Sequence, residues 1–374
     1  MQNAITLSDR CRRRARSLLA SSLLAIAAPT AFAAGPYAYL PSDDNATVTV
    51  VDLSNTGGKQ ETITVTGAED TTAFYGAALT TKGDRLYISD QANETVFQVD
   101  TATGTTLHSY FVGSNPRGIA VGPGGAHVYV ADFASAGLSI IDTATQAVTD
   151  VDFSTLPGAA NPSPSGVALN LSGTRAYVTD ASVGHRLCRM NTAAPPASMA
   201  DGDCIVVGAA DDDGANPNAL AVSPDATRVY VVNHSEATVS VVDTGTFTVA
   251  RTFPLGFGSP NGITITASGK RAYVGTGLGK ILVLDLTRVQ DSGQDPVIDV
   301  IDDAAIFAVN GLSISPDGTR LLVADTGNDQ LHVIDIVGDA DTRIATVDVN
   351  PSPIAIGQFT RQDAIFVGGM EKTG

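Results

Sequence analysis

Six side chains recur at one place in a repeated phrase. Tyr75, Arg117, Ser165, Asn218, Asn261 and Asn310 each stand second in a segment that opens an apolar run, as in Pro116-Arg117-Gly118-Ile119-Ala120-Val121 and Pro260-Asn261-Gly262-Ile263. Pro353 holds the seventh such position. Arg117 is the one cation of the set, and its fork suits a carboxylate or a phosphate. The three asparagines supply amide donors and carbonyl acceptors for sugar hydroxyls or, with waters, for a hard cation such as calcium. Asn before Gly also serves simply to make a tight turn. Arg117 can equally answer acidic loops such as Glu69-Asp70 or Asp211-Asp212-Asp213. Chemistry and turn geometry both account for these residues.

Other catalytic patterns are missing. His108, His127, His185, His234 and His332 show no metal-ligand spacing. No Gly-x-Ser-x-Gly elbow occurs, and no Gly-rich loop leads from a strand into a helix. Asp211-Asp212-Asp213-Gly214 lacks the alternate-position ligands of a calcium loop and reads as a solvated acidic turn. The loop acids placed to serve the ring are Glu69, Asp70 and Asp212. A second recurring set, Ser42, Asp90, Asp132, Asp180, Asn233, Thr276 and Asp325, follows a repeated aromatic or leucine by three residues. Short polar side chains at strand ends cap turns by accepting backbone N–H groups. Copies on separate units point in separate directions and cannot converge on one ion.

The elements that would position the first set form a repeat of about 40–50 residues with four short strands per unit. Two clear copies are Ala221-Val-Ser-Pro-Asp-Ala-Thr-Arg-Val-Tyr-Val-Val-Asn233 and Leu312-Ser-Ile-Ser-Pro-Asp-Gly-Thr-Arg-Leu-Leu-Val-Ala-Asp325. Aligned on Tyr39, Tyr87, Tyr129, Tyr177, Tyr230, Tyr273 and Leu322, the chain holds seven units. The expectation is an all-β fold, a seven-bladed β-propeller of four-stranded blades over residues 34–374. The first unit lacks an innermost strand, and Pro353-Ile-Ala-Ile-Gly-Gln-Phe359 supplies one, closing the ring without an open edge. Ala364-Ile-Phe-Val367 reads as one more short strand with nothing after it. In such a ring Tyr75, Arg117, Ser165, Asn218, Asn261 and Asn310 share one channel mouth.

The repeat resembles the YVTN β-propeller family of bacteria and archaea through Asn115-Pro-Arg-Gly-Ile-Ala-Val121, Leu138-Ser-Ile-Ile-Asp-Thr143 and Tyr177-Val-Thr-Asp180. That resemblance spans essentially all of residues 34–374 and implies fold rather than chemistry; Gly275-Thr-Gly-Leu-Gly279 departs from its usual turn. The phrase around Asn310 is also similar to gluconolactonase-type propellers, which implies a central metal held by Asn beside Glu and Asp. Here the Asn positions Asn218, Asn261 and Asn310 match, but no Glu or Asp stands at an equivalent ring position.

Residues 1–33 read as a secretory signal. Arg10, Arg12, Arg13, Arg14 and Arg16 precede an apolar stretch too short to cross a bilayer, and Ala31-Phe32-Ala33 fits a cleavage site. These arginines are five of the 22 basic residues, so the remainder is more acidic than the formal charge of −17. Such a surface argues against nucleic acid and anionic membranes as partners. Cys188 and Cys204 flank the insertion in the fourth unit on its third and fourth strands, where an oxidising compartment would bridge them. The leading expectation is therefore an exported, periplasmic or extracellular, non-enzymatic module that binds a protein or glycan. The alternative is a lactonase-type hydrolase or lyase working at the channel mouth. A third class, an electron-transfer partner, fits the fold without support of its own.

Overall fold

The computed structural model describes residues 36–354, apart from 55–59, 70, 155, 157–160, 193–203, 209–213 and 339–340. The proposed signal, Asp70, Asp211–Asp213, the rest of the closing segment after Ile354, and Ala364–Val367 lie outside the described residues. Six blades are four-stranded antiparallel sheets in simple up-and-down order, and blade one contributes three strands of its own. Innermost strands start blades two to seven at Phe74–Leu79, Pro116–Val121, Pro164–Leu169, Pro217–Val222, Pro260–Ile265 and Val309–Ile314. From blade two to blade six each packs beside the innermost strand of the next blade.

The burial pattern explains the sequence pattern. Second and third strands lie between neighbouring blades and are covered on both faces, so they read as near-continuous apolar runs such as Arg228–Asn233 and Thr238–Asp243. Fourth strands such as Thr106–Phe111 form the outer edge and stay largely exposed. Tyr39, Tyr87, Tyr129, Tyr177, Tyr230, Tyr273 and Leu322 are all buried between blades. Burial pushes the Tyr39, Tyr87, Tyr230 and Tyr273 phenols up to about 12. Apolar contact is continuous across the junction of blades seven and one, where Leu322, Ala324, Leu331 and Val333 pack with Ala38, Leu40, Val48 and Val50.

The ring closes as expected. Pro353 pairs antiparallel with Ser42, and Ile354 N donates to Pro41 O at 3.1 Å. Asn350 bonds the Thr47 and Thr49 hydroxyls, at 2.6 and 3.0 Å. The chain is a seven-bladed β-propeller.

In the fourth blade Cys188 faces Cys204 across the third and fourth strands, and the two form a disulfide. The fourth strand there is only three residues long, Cys204–Val206.

Candidate functional site

The ring residues share a backbone device that the sequence does not announce. Every innermost strand of blades two to seven breaks register at its second residue: between Phe74 and Ala77, Pro116 and Ile119, Pro164 and Val167, Pro217 and Ala219, Pro260 and Gly262, and Val309 and Gly311. Tyr75, Arg117, Ser165, Asn218, Asn261 and Asn310 therefore all sit on β-bulges. A bulge re-aims its side chain away from the ladder. Asn115, Asn216 and Ser259 turn the chain just before the strand, with φ of 54°, 46° and 58°, a conformation that Asn tolerates better than most residues.

The carbonyls of this ring are held from behind. Ser89 Oγ accepts from Gly76 N at 2.8 Å and donates to Arg117 O at 2.7 Å. Thr179 Oγ1 does the same for Gly166 N, at 2.8 Å, and Asn218 O, at 3.2 Å. The glycine after Tyr75, Arg117 and Ser165 is needed for this fit. A Cβ on Gly76, Gly118 or Gly166 would come within 2.4, 2.6 or 2.5 Å of the carbonyl oxygen of Arg117, Ser165 or Asn218. Innermost strands there are packed backbone against backbone.

The side chains meet in pairs, each bridging two blades. Ser165 Oγ donates to Asn218 Oδ1 at 2.6 Å. Asn261 Nδ2 donates to Asn310 Oδ1 at 2.9 Å and reaches Val309 O at 3.3 Å. The Arg117 guanidinium lies 5.5 Å from the centre of the Tyr75 ring and 3.4 Å from that of Phe133. Phe133 is brought there by the loop beside it, where its amide donates to Asn115 O at 3.1 Å. Only Asn115 Oδ1, 3.4 Å from Arg117 Nε, contacts the guanidinium as a polar side chain, and no carboxylate pairs with it among the described residues. Burial lowers the pKa of Arg117 and the neighbouring Tyr75 opposes that fall. Burial raises Tyr75 while the charge of Arg117 pulls it back. Two aromatic faces and a half-buried cation thus make one side of the mouth.

One acid whose charge reaches this group is one that sequence reasoning missed. Asp43 lies in the turn after Tyr37–Pro41, and its amide donates to Ser352 O at 3.0 Å, immediately before the ring position Pro353. Its carboxyl is half-buried, and burial first, then the charges of Asp44 and Asp90, hold it above the usual carboxylate range. Its charge also raises the Tyr75 phenol. The available signal was Ser42, which replaces the usual turn aspartate and is followed by two carboxylates. Of the acids expected to serve the ring, Glu69 is exposed on the loop entering blade two; Asp70 and Asp212 lie outside the described residues.

The repeated strand-end residues are structural, and more so than a simple turn cap requires. Asp90 Oδ1 accepts Ala92 N in its own turn and Ala73 N in the loop entering its blade, both at 3.1 Å. Asp180 repeats this with Ser182 and Ser163, and Asp325 with Gly327 and Ala308. Arg186 lies buried against Asp180 at 2.7 Å.

A metal at the asparagine arc would find neutral amide oxygens, two of which already accept a hydrogen bond: Asn218 Oδ1 from Ser165 and Asn310 Oδ1 from Asn261. No group of three or more His, Cys, Asp or Glu residues converges among the described residues. What the arc offers instead is the amide N–H groups of Asn218 and Asn310.

The family model "Lactonase, 7-bladed beta-propeller" matches residues 29–155. That is about a third of the chain, and it contains Asp43, Tyr75, Arg117 and Phe133. Among curated proteins none matches the sequence closely enough to count as a relative. Solved structures match the fold. A Bacteroides fragilis protein, named as a candidate 6-phosphogluconolactonase, superposes with a TM-score of 0.65 at 13% identity over 86% of this chain and 96% of its own. A functionally unknown protein from Desulfotomaculum acetoxidans gives 0.64 at 13%, over 85% and 97%. Kuenenia stuttgartiensis hydrazine synthase gives 0.63 at 17%, over 77% and 90%. At such identities the likeness carries the propeller fold and no activity.

Proposed function

We propose that the protein is a lactone hydrolase of the propeller type, working at the channel mouth formed by the bulged residues. The observation that carries this reading is the half-buried Arg117, free of any described carboxylate and walled by Tyr75 and Phe133, with Asp43 nearby. It gains support from the family model, which matches the blades holding all four residues. Lactone hydrolysis needs a general base for water and a donor for the oxyanion that develops on the acyl oxygen. Asp43, held above the usual carboxylate range, is a stronger base than an exposed aspartate. Arg117 and the amides of Asn218 and Asn310 supply donors. The repeat wording supports a YVTN-type chain. The disulfide supports export into an oxidising compartment, and no described helix is long and apolar enough to cross a membrane.

The test is hydrolysis of simple lactones by the purified protein, followed as acid release in a pH-stat. Arg117→Gln is expected to lower kcat/KM about 10²-fold, and Asp43→Asn to lower kcat. No rate above the spontaneous one would defeat the reading. A binding module would then take its place, favoured by Leu278 and Phe307, which are 61% and 66% exposed on neighbouring loops of the same face.

A further inference from the structure

Charge around the mouth bears on which lactone could enter it, an inference that rests on the hydrolase reading above. The mouth face is built from the loops that enter each innermost strand and those that join second to third strands. Asp43, Asp44, Glu69, Glu94, Asp302 and Asp329 stand on these loops. Two described cations of the same face are already committed: Arg186 is buried on Asp180 and Lys280 is paired with Asp302. Arg117 is the one described guanidinium on this face without a carboxylate, and it lies against the rings of Phe133 and Tyr75. A phosphate dianion needs several converging donors with net positive charge. This mouth has one positive group inside an acidic rim, and such a rim repels an incoming anion.

We propose that the mouth takes uncharged lactones and discriminates against phosphorylated ones, so that negative charge first forms there during the reaction. Water adds to the acyl carbon, the ring C–O bond breaks, and the departing alkoxide oxygen takes a proton. The resulting hydroxy acid loses its acidic proton at neutral pH, giving one hydroxycarboxylate and one proton per lactone and water. Arg117 receives the oxyanion and then the product carboxylate, and the acidic rim favours the departure of that carboxylate. The polar pairs suit this substrate class, because the free amide N–H groups of Asn218 and Asn310 are donors for neutral carbonyl or hydroxyl oxygens.

The experiment compares glucono-δ-lactone with its 6-phosphate on the same enzyme at low and high salt. The expected result is a kcat/KM at least about tenfold higher for the neutral lactone, narrowing as salt screens the rim. Glu94→Lys, at an exposed position of the acidic rim, should raise kcat/KM on the phosphorylated lactone severalfold more than on the neutral one. A phosphorylated lactone used as well as or better than the neutral one overturns this proposal and leaves the hydrolase reading standing. Hydrolysis of neither overturns both.

Discussion

Asp132 and Asp325 occupy the same place in blades three and seven, yet their surroundings drive their carboxyls in opposite directions. Asp325 is buried, but bonds from His332, Ala308 N and Phe307 N outweigh that burial and hold it below its ordinary value. Asp132 is equally buried, and its Oδ1 has no partner. The Ser139 hydroxyl lies 2.7 Å from Asp132 Oδ2 and 3.2 Å from Asp150 Oδ1, and can donate its single proton to only one of them. Burial therefore raises Asp132 to about 7, with Ser139 opposing and Asp150 adding to the shift. The unfolded chain ionises at 3.8, so the proton held by the native state stabilises it fully below about pH 4. That stability is lost as pH rises to about 7, at roughly 1.4 kcal/mol per pH unit. Asp132→Asn should remove this slope and make the protein more stable than the wild type at pH 8, as read by melting temperature against pH. Parallel curves would refute it. Asn233 already fills the same position in blade five, so the fold accepts the amide. The polar strand-end position was readable in the sequence as turn chemistry. The split in acidity was not, because it depends on amides supplied by the loop entering the blade.

Backbone packing separates strands that look alike in sequence. Gly118 and Gly262 both follow a ring residue, but a Cβ at Gly118 meets Ser165 O at 2.6 Å, whereas at Gly262 nothing lies within 4 Å. Gly118→Ala should cost about 1–3 kcal/mol by forcing blades three and four apart, and Gly262→Ala should stay within about 0.5 kcal/mol. Urea midpoints of the two variants test this contrast directly. In blade four, the short Cys204–Val206 strand leans on the disulfide to Cys188, which closes a separation of 16 residues. Replacing both cysteines by alanine should cost about 2–4 kcal/mol, with hydrogen exchange rising first in this strand. Strand order, blade number and the Cys188–Cys204 bridge could be read from the repeat, because they follow from period and alternation. The bulges could not, since one extra residue per strand leaves the apolar pattern intact.

Closure binds the two ends of the described chain into one object. Asn350, Ser352 and Pro353 bond Thr47, Thr49, Asp44 and Ser42 across about three hundred positions of sequence. A chain ending at Val349 should lose these bonds, expose the Tyr37–Pro41 edge and unfold at a lower urea midpoint with a shallower transition. An unchanged midpoint would show that the apolar contact of blades seven and one suffices alone. The missing first strand and its C-terminal replacement were visible in the sequence because an incomplete unit stood at each end. That the turn beside this join carries the acid of the mouth was not, because Asp43 reaches the ring only through Ser352. The mouth residues join two by two, Tyr75 with Arg117, Ser165 with Asn218, Asn261 with Asn310. Seven is odd, so pairing around such a circle must leave one member over. Here the remainder is Pro353, a residue with no N–H to give, and it falls at the seam beside Asp43. Parity alone thus makes this entrance lopsided, with its odd member at the seam where the chain's two described ends meet.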